Sequence, residues 1–181
     1  MVSAVGYTKL DTAGSELDVS ATSWACVRDN VSGLTWESKT ADVGMRGVMH
    51  RYFWYDSNGG RNGGEPGYTG TTDSCGNSLG GLLCNTQNYS ATVNASNYCG
   101  ASDWRLPTQM ELLSLVNSGG LNPSIDTAFF QNTSNTPYWS GSTYAMNPLN
   151  AWGVHFGYGA AHAEAKRAAN AVRLVRGVWS K

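Results

Sequence analysis

The apolar residues of this chain come in short bursts separated by polar, glycine-rich stretches, and the bursts carry two different periods. Trp152, Val154 and Phe156 alternate with Gly153, His155 and Gly157, which predicts a strand with its bulky set on the core face. Trp24 and Trp36 flank Asp29-Asn30 and Ser32-Gly33, a tight-turn composition between two short strands. Residues 50–55, 138–140 and 172–177 read as further short strands, the last with Val172 and Leu174 on one side. Two stretches are helical instead. Residues 86–98 carry Tyr89, Val93 and Asn97 at helical spacing, with Gly100 placed to end the helix. Thr108-Gln109-Met110-Glu111 fits a capping box, in which the threonine accepts from a first-turn amide and the glutamate reaches back to the cap. Leu112, Leu113, Leu115 and Val116 then form a broad apolar face, and Gly119-Gly120 stops it.

The remainder is irregular. The segment up to Thr22 is polar and yields no element. Residues 58–81 pass through Gly59-Gly60, Gly63-Gly64 and Gly80-Gly81, a loop of a length that is uncommon unless pinned or functional. Residues 159–171 are rich in alanine, but no large apolar side chain gives a helix there anything to bury, so they read as exposed turn and strand edge. The pattern is α+β: two helices, short antiparallel strands and long loops.

Composition sharpens this. The 181 residues suit one domain, 1–181, with no internal repeat or linker. Only 14% of residues are charged, against roughly 25% in typical soluble domains, and seven tryptophans and nine tyrosines supply the core. Each large aromatic removes about 150–250 Å² from water, worth about 4–6 kcal/mol before entropy is subtracted. The net charge of −1 is unevenly spread: residues up to Asp126 balance at −5, and the rest, with Glu164 against Lys166, Arg167, Arg173, Arg176 and Lys181, at +4. That basic end suits a polyanion, and equally an ordinary solvated surface.

Cys26, Cys75, Cys84 and Cys99 contain no C-x-x-C and lie far from the three histidines, so two disulfides are expected rather than a zinc site. The preferred pairing is Cys75–Cys84 inside the glycine-rich loop and Cys26–Cys99 across the fold, closures worth about 2.7 and 4.4 kcal/mol in the chain-entropy model. Disulfides point to an extracytoplasmic, oxidising compartment. Residues 1–10 show neither the basic head nor the apolar stretch of a leader, so the expectation is a leader or partner domain removed upstream, or a viral protein exported without one. No stretch is long and apolar enough to insert in a membrane.

Catalytic signatures are missing: there is no Gly-x-Ser-x-Gly, P-loop or His-Glu-x-x-His. His155 and His162 lie across a turn without a third ligand, and Glu65-Pro66-Gly67 only superficially matches the Glu-Pro-Asn of calcium-dependent lectins, so no metal or cofactor is expected.

Longer motifs carry a family resemblance. Cys26-Val27-Arg28-Asp29-Asn30 is followed by Gly33-Leu34-Thr35-Trp36-Glu37, then by Cys99-Gly100-Ala101-Ser102-Asp103-Trp104-Arg105-Leu106-Pro107-Thr108 with Glu111-Leu112. Tyr138-Trp139-Ser140, Ala151-Trp152 and Val172-Arg173-Leu174-Val175-Arg176-Gly177 complete the series. Over about residues 24–177 the chain resembles a bacterial and viral domain family that includes the C-terminal domain of the Legionella collagen-like adhesin and variable proteins of diversity-generating retroelements. The resemblance implies a C-type lectin fold of the formylglycine-generating-enzyme subtype. Within it, Trp104 and Leu106 plug the core, Thr108 caps the helix, and Arg105 is a buried partner for a carboxylate. The reactive late cysteine pair of the formylglycine-generating enzymes has no counterpart after Cys99, so that activity does not carry over.

The implied function is ligand binding through residues 138–177, with a protein or glycan on another cell or surface as partner, and without nucleic acid. In a retroelement variable protein, Trp139, Trp152, Val154, Phe156 and the run from Val172 to Gly177 would form the constant frame. The exposed, diversified positions would be Ser142, Tyr144, Asn147, Asn150, Gly153, His155, Gly157, Tyr158, Ala160, His162, Ala168 and Asn170. Gly, Ala, His, Tyr and Asn are all reachable from asparagine codons by changing adenines, whereas Met146, Glu164 and Lys166 are not. Tyr144 and Tyr158 would anchor ligand in one shallow site. The alternative is an invariant adhesin that binds sulfated glycans through Lys166, Arg167, Arg173 and Arg176. A structural subunit of a fibre or capsule is a third, weaker reading.

Overall fold

The chain builds its first hairpin from a turn written into residues 29–34. The Asp29 carboxylate accepts from the Val31 amide at 2.8 Å and from the Ser32 hydroxyl at 2.7 Å, and Gly33 takes the positive φ of 75° that the turn requires. In the computed structural model, which describes residues 6–117, 119–120 and 122–179, this turn joins β2 (Cys26–Asp29) to β3 (Thr35–Glu37). Antiparallel pairing extends that hairpin with β1 (Tyr7–Leu10) on one side and the last strand on the other. Strand β1 lies in the segment that gave no element from sequence. Alternate neighbours Cys26 and Val27 of β2 are both fully buried, so β2 needs cover on both faces and a partner at its edge.

The other elements follow in order: β4 (Tyr52–Phe53), α1 (Thr86–Ala95), a single 3₁₀ turn (Tyr98–Gly100), α2 (Gln109–Leu113), β5 (Pro137–Thr143), β6 (Asn150–His155), β7 (Ala160–Ala165), β8 (Ala169–Asn170) and β9 (Val175–Arg176). They make three small antiparallel sheets, ordered β1-β2-β3-β9, β4-β8 and β5-β6-β7. This is the expected α+β architecture of two helices and short antiparallel strands.

Both helices are shorter than the apolar spacing suggested. Asn85 caps α1 by accepting from the Asn88 amide at 2.8 Å, and α1 ends at Ala95, before Asn97 and Cys99 turn to positive φ; Gly100 does not end it. The capping box of α2 is present: Thr108 Oγ1 accepts from the Glu111 amide at 3.2 Å and Glu111 Oε2 from the Thr108 amide at 2.7 Å. The helix itself stops at Leu113, and Leu115 reaches the core from a turn beyond it. The disulfides are Cys26–Cys99, which ties β2 to the turn after α1, and Cys75–Cys84, which closes the glycine-rich loop.

Two apolar clusters form the core. One gathers Tyr52, Trp54, Tyr89, Trp104 and Trp139 around both disulfides, and the other holds Trp36, Leu112, Phe130, Tyr138, Val154 and Phe156. Between them sits a buried polar knot. Glu37 is fully buried, and its carboxylate accepts from Lys39 Nζ at 2.9 Å, from the Tyr89 hydroxyl and from the Leu174 amide at 2.9 Å. Arg173, also fully buried, donates to the Glu37 carbonyl at 2.7 Å. Burial pulls the Lys39 ammonium below its usual range, and Glu37 opposes that shift.

Removing one partner of such a buried pair leaves uncompensated charge. Glu37→Ala is therefore expected to cost about 3–5 kcal/mol, read as a drop in the urea unfolding midpoint with both disulfides intact. A loss within about 0.5 kcal/mol would show that the knot is not structural.

Candidate functional site

Most of the residues expected to meet a ligand lie on the β5-β6-β7 sheet and its hairpins, which the core holds from both faces; Ala168 and Asn170 lie beyond it, in the β7–β8 turn and β8. Tyr138 turns into one cluster, with its ring edge against Phe156 at 5.2 Å between centroids. Trp139 turns into the other and donates from Nε1 to the Tyr52 carbonyl at 2.8 Å. Strand β5 pairs with β6 in register at Tyr138↔Val154 and Trp139↔Gly153, then slips so that Thr143 faces Ala151. Ser140 seals the slip: its hydroxyl donates to the Trp152 carbonyl, and its own carbonyl accepts from Trp54 Nε1, both at 2.8 Å.

The expected exposed positions divide into two patches at opposite ends of β6, about 17 Å apart for a strand of that length. At one end, the β5–β6 hairpin stacks Tyr144 edge-on against Trp152, with ring centroids 5.1 Å apart. Backbone bonds from Asn147 to Tyr144 and from Asn150 to Asn147 hold that hairpin, and Met146 and Leu149 stand exposed on it. At the other end, the β6–β7 hairpin stacks His155 on Tyr158 at 4.1 Å, with His162 6.3 Å from His155. His155 Nδ1 accepts from the Gly157 amide at 3.0 Å. Burial and the neighbouring His162 hold His155 below the usual imidazole range. Ala160 is exposed beside this stack.

Several expectations need correction. Gly153 is buried, and a Cβ there would meet the Tyr138 carbonyl oxygen at 3.0 Å, so any side chain would press on the β5 backbone. Asn170 is buried in β8 opposite Tyr52. Trp152, read as core, is only half-buried and carries Tyr144 instead. Of the expected exposed set only Asn147, Tyr158 and Ala160 are exposed; Ser142, Tyr144, Asn150, His155, Gly157, His162 and Ala168 are half-buried, the Ser142 hydroxyl accepting from the Gln109 amide at the start of α2 and Ala168 packing on the core. Trp104, Trp139 and Phe156 are buried as expected of a frame.

The basic groove does not assemble. Lys166 is 2% exposed: its Nζ donates to the carbonyls of Asn62 at 2.9 Å and Glu65 at 2.6 Å and lies 3.9 Å from the centroid of the Trp54 ring. Burial draws its ammonium down to about 8, against the pull of Glu65 and Asp56. Arg173 belongs to the buried knot, and Arg176 pairs with Asp103 at 2.7 Å. Of the four, Arg167 alone is exposed; Lys181 lies outside the described residues. Lys166 instead tethers the glycine-rich loop to the β7–β8 turn.

One feature escaped the sequence, an open cleft of roughly 430 Å³ beside the β5–β6 hairpin. Asp56, Arg61, Gln87, Trp104, Arg105 and Thr108 line it. Arg61 forks onto Asp56 at 2.9 and 3.0 Å, and Arg105 onto Glu111 at 2.8 and 2.7 Å, so each guanidinium is already matched to a carboxylate. Arg105 thus has the expected carboxylate partner, but its side chain is 41% exposed rather than buried. The residues come from three separate segments, and no local motif announces them. Among the described residues, no three His, Cys, Asp or Glu side chains are placed to hold a metal ion, and no helix is long and apolar enough to cross a membrane.

A family model described as the Lcl C-terminal domain matches residues 25–176 of the chain. No curated protein matches it, and no solved structure does.

The contrast between neighbours Lys166 and Arg167 is testable. Lys166→Ala is expected to cost about 2–3 kcal/mol and to open residues 58–67 to proteolysis, because two carbonyls lose a charged donor. Arg167→Ala is expected to stay within about 0.5 kcal/mol in urea unfolding. Equal, small effects would return Lys166 to the surface.

Proposed function

Since the chain belongs to the Lcl C-terminal domain family, we propose that it is a non-catalytic, adhesin-like ligand-binding domain of C-type lectin fold, in the formylglycine-generating-enzyme subtype, and a diversified receptor of the retroelement kind. The observation that carries this reading is the division of labour along the β5-β6-β7 sheet. Its frame residues Trp139, Val154 and Phe156 are fully buried, while Asn147, Tyr158 and Ala160 are exposed at hairpin ends and Tyr144 lies half-buried against Trp152. Substitution at such exposed positions costs within about 0.5 kcal/mol, so their chemistry can change while the fold persists.

Contact with the ligand falls to two aromatic patches, Tyr144 with Trp152 and Tyr158 with His155. The diversified set narrows accordingly to Tyr144, Asn147, Asn150, His155, Tyr158, Ala160 and His162, with Ser142, Gly157 and Ala168 constrained by their contacts. Two factors favour binding without catalysis: no cysteine follows Cys99, and both arginines in the cleft are already paired with carboxylates. The two disulfides favour an extracytoplasmic setting, where a partner on another cell or surface is in reach.

Deep sequencing of the 3′ end of the gene across its source population tests this. Substitutions are expected at adenine-derived codons of the narrowed set, with Trp139, Gly153, Phe156 and Asn170 constant. An invariant stretch between Gly141 and Ala171 would sink the diversified reading.

A further inference from the structure

The outer edge of β7 is an open strand edge whose sequence is complementary to itself. Strand β7 is the last in its sheet and pairs with β6 without a break over six residues, from His155↔Ala160 to Asn150↔Ala165. The Lys166 amide continues that ladder to the Leu149 carbonyl at 2.9 Å. Antiparallel pairing alternates, so Ala160, His162 and Glu164 turn their backbone groups toward β6 together with Lys166, and Ala161, Ala163 and Ala165 turn theirs outward. Among the described residues, the outward amides have no backbone partner, and of the outward carbonyls only that of Ala165 accepts, from Ala168 at 2.7 Å. Proteins usually protect such an edge with proline, lysine or a bulge. The sequence Ala-Ala-His-Ala-Glu-Ala has no proline or lysine, its register with β6 has no bulge, and its short side chains let another backbone approach.

We propose that β7 pairs antiparallel with β7 of a second copy of this chain, across a two-fold axis at Ala163, to make one continuous six-stranded sheet. That register sets Ala163 opposite Ala163 and Ala161 opposite Ala165, all outward-turned residues, so the backbone groups meet as donor and acceptor, the Ala165 carbonyl using its second lone pair beside the bond from Ala168. On the face that carries His162 and Glu164, the same register puts each His162 opposite the Glu164 of the other copy, twice over. Within one copy these side chains already approach to 3.4 Å, on the same face of the strand. A shift that set His162 against His162 would lose both pairs. An unrelated extended peptide would gain the backbone ladder but not the reciprocal imidazole–carboxylate pairs, so the charges favour the second copy. The backbone ladder does not depend on the diversified reading, but the preference for a second copy rests on His162 being retained in the chain that is tested.

Sedimentation equilibrium of the disulfide-bonded chain over a range of concentrations tests the proposal. The expected result is a concentration-dependent monomer–dimer equilibrium. Ala163→Pro removes an outward amide, a change tolerated at a strand edge, and should give a monomer with unchanged circular dichroism. His162→Glu sets carboxylates against carboxylates and should weaken the dimer about tenfold, and adding Glu164→Arg should restore it. The charge-swapped pair decides the matter if Ala163→Pro does not fold. A monomer at every concentration, or a dimer indifferent to these changes, overturns the proposal and leaves the ligand-binding reading untouched.

Discussion

The fold turns on one carboxylate that has no access to water. Glu37 ends β3 opposite Cys26 of the long-range disulfide, and its oxygens take up Lys39, the Tyr89 hydroxyl of α1 and the Leu174 amide. Through one residue, the N-terminal hairpin, the first helix and the C-terminal segment are held in a single relation. A buried ion is costly unless paired and hydrogen-bonded, so those partners are obligatory. Arg173 brings a second cation, which the Glu37 carbonyl and the Thr133 hydroxyl accept, and its guanidinium lies 5.3 Å from the centroid of the Phe130 ring. The knot therefore joins segments nearly 140 residues apart.

The β5-β6-β7 sheet is tied to that knot through the backbone. The Ala171 carbonyl, two residues before Arg173, accepts from the Trp139 amide at 2.9 Å, so placing Arg173 also places β5. Hairpin ends beyond the core are then free to carry whatever side chains recognition requires. Lys166 is a smaller device of the same kind. It converts a glycine-rich loop, which loses much entropy on ordering, into a defined wall beside the β5–β6 hairpin. Thr143 and Pro148 of that hairpin approach Gly63 closely, so hairpin, loop and cleft form one connected region.

The placement of the basic residues separates the two binding readings. A polyanion site needs solvated cations that converge, and here Lys166 and Arg173 are buried while Arg176 is neutralised by Asp103. What remains on the surface, besides Arg167, Met146 and Leu149, is aromatic and polar, a chemistry that adapts to many partners. In the cleft, likewise, each arginine is matched to a carboxylate.

Features set by neighbouring residues were legible in the sequence. The Asp29 turn, the capping box at Thr108 and Glu111, the α+β pattern, the disulfide pairing and the aromatic core all follow from local geometry, short periodicity or a small set of cysteines. Helix ends were less legible, because α1 stops where Asn97 turns to positive φ rather than at the more permissive Gly100. The fate of a charge was not legible at all. Lys166 and Arg167 are adjacent cations in the sequence, and only carbonyls about 100 residues away, at Asn62 and Glu65, decide that one is buried and the other exposed. Gly153 and Asn170 passed as variable surface because nothing local reveals the Tyr138 carbonyl or the β4 strand that covers them. The division of the expected surface positions into two patches, and the open edge of β7, likewise depend on how strands pair across the sheet. Sequence determined most of the elements, β1 excepted, because those choices are local; tertiary structure decided which side chains meet water, because burial is settled by partners distant in the chain.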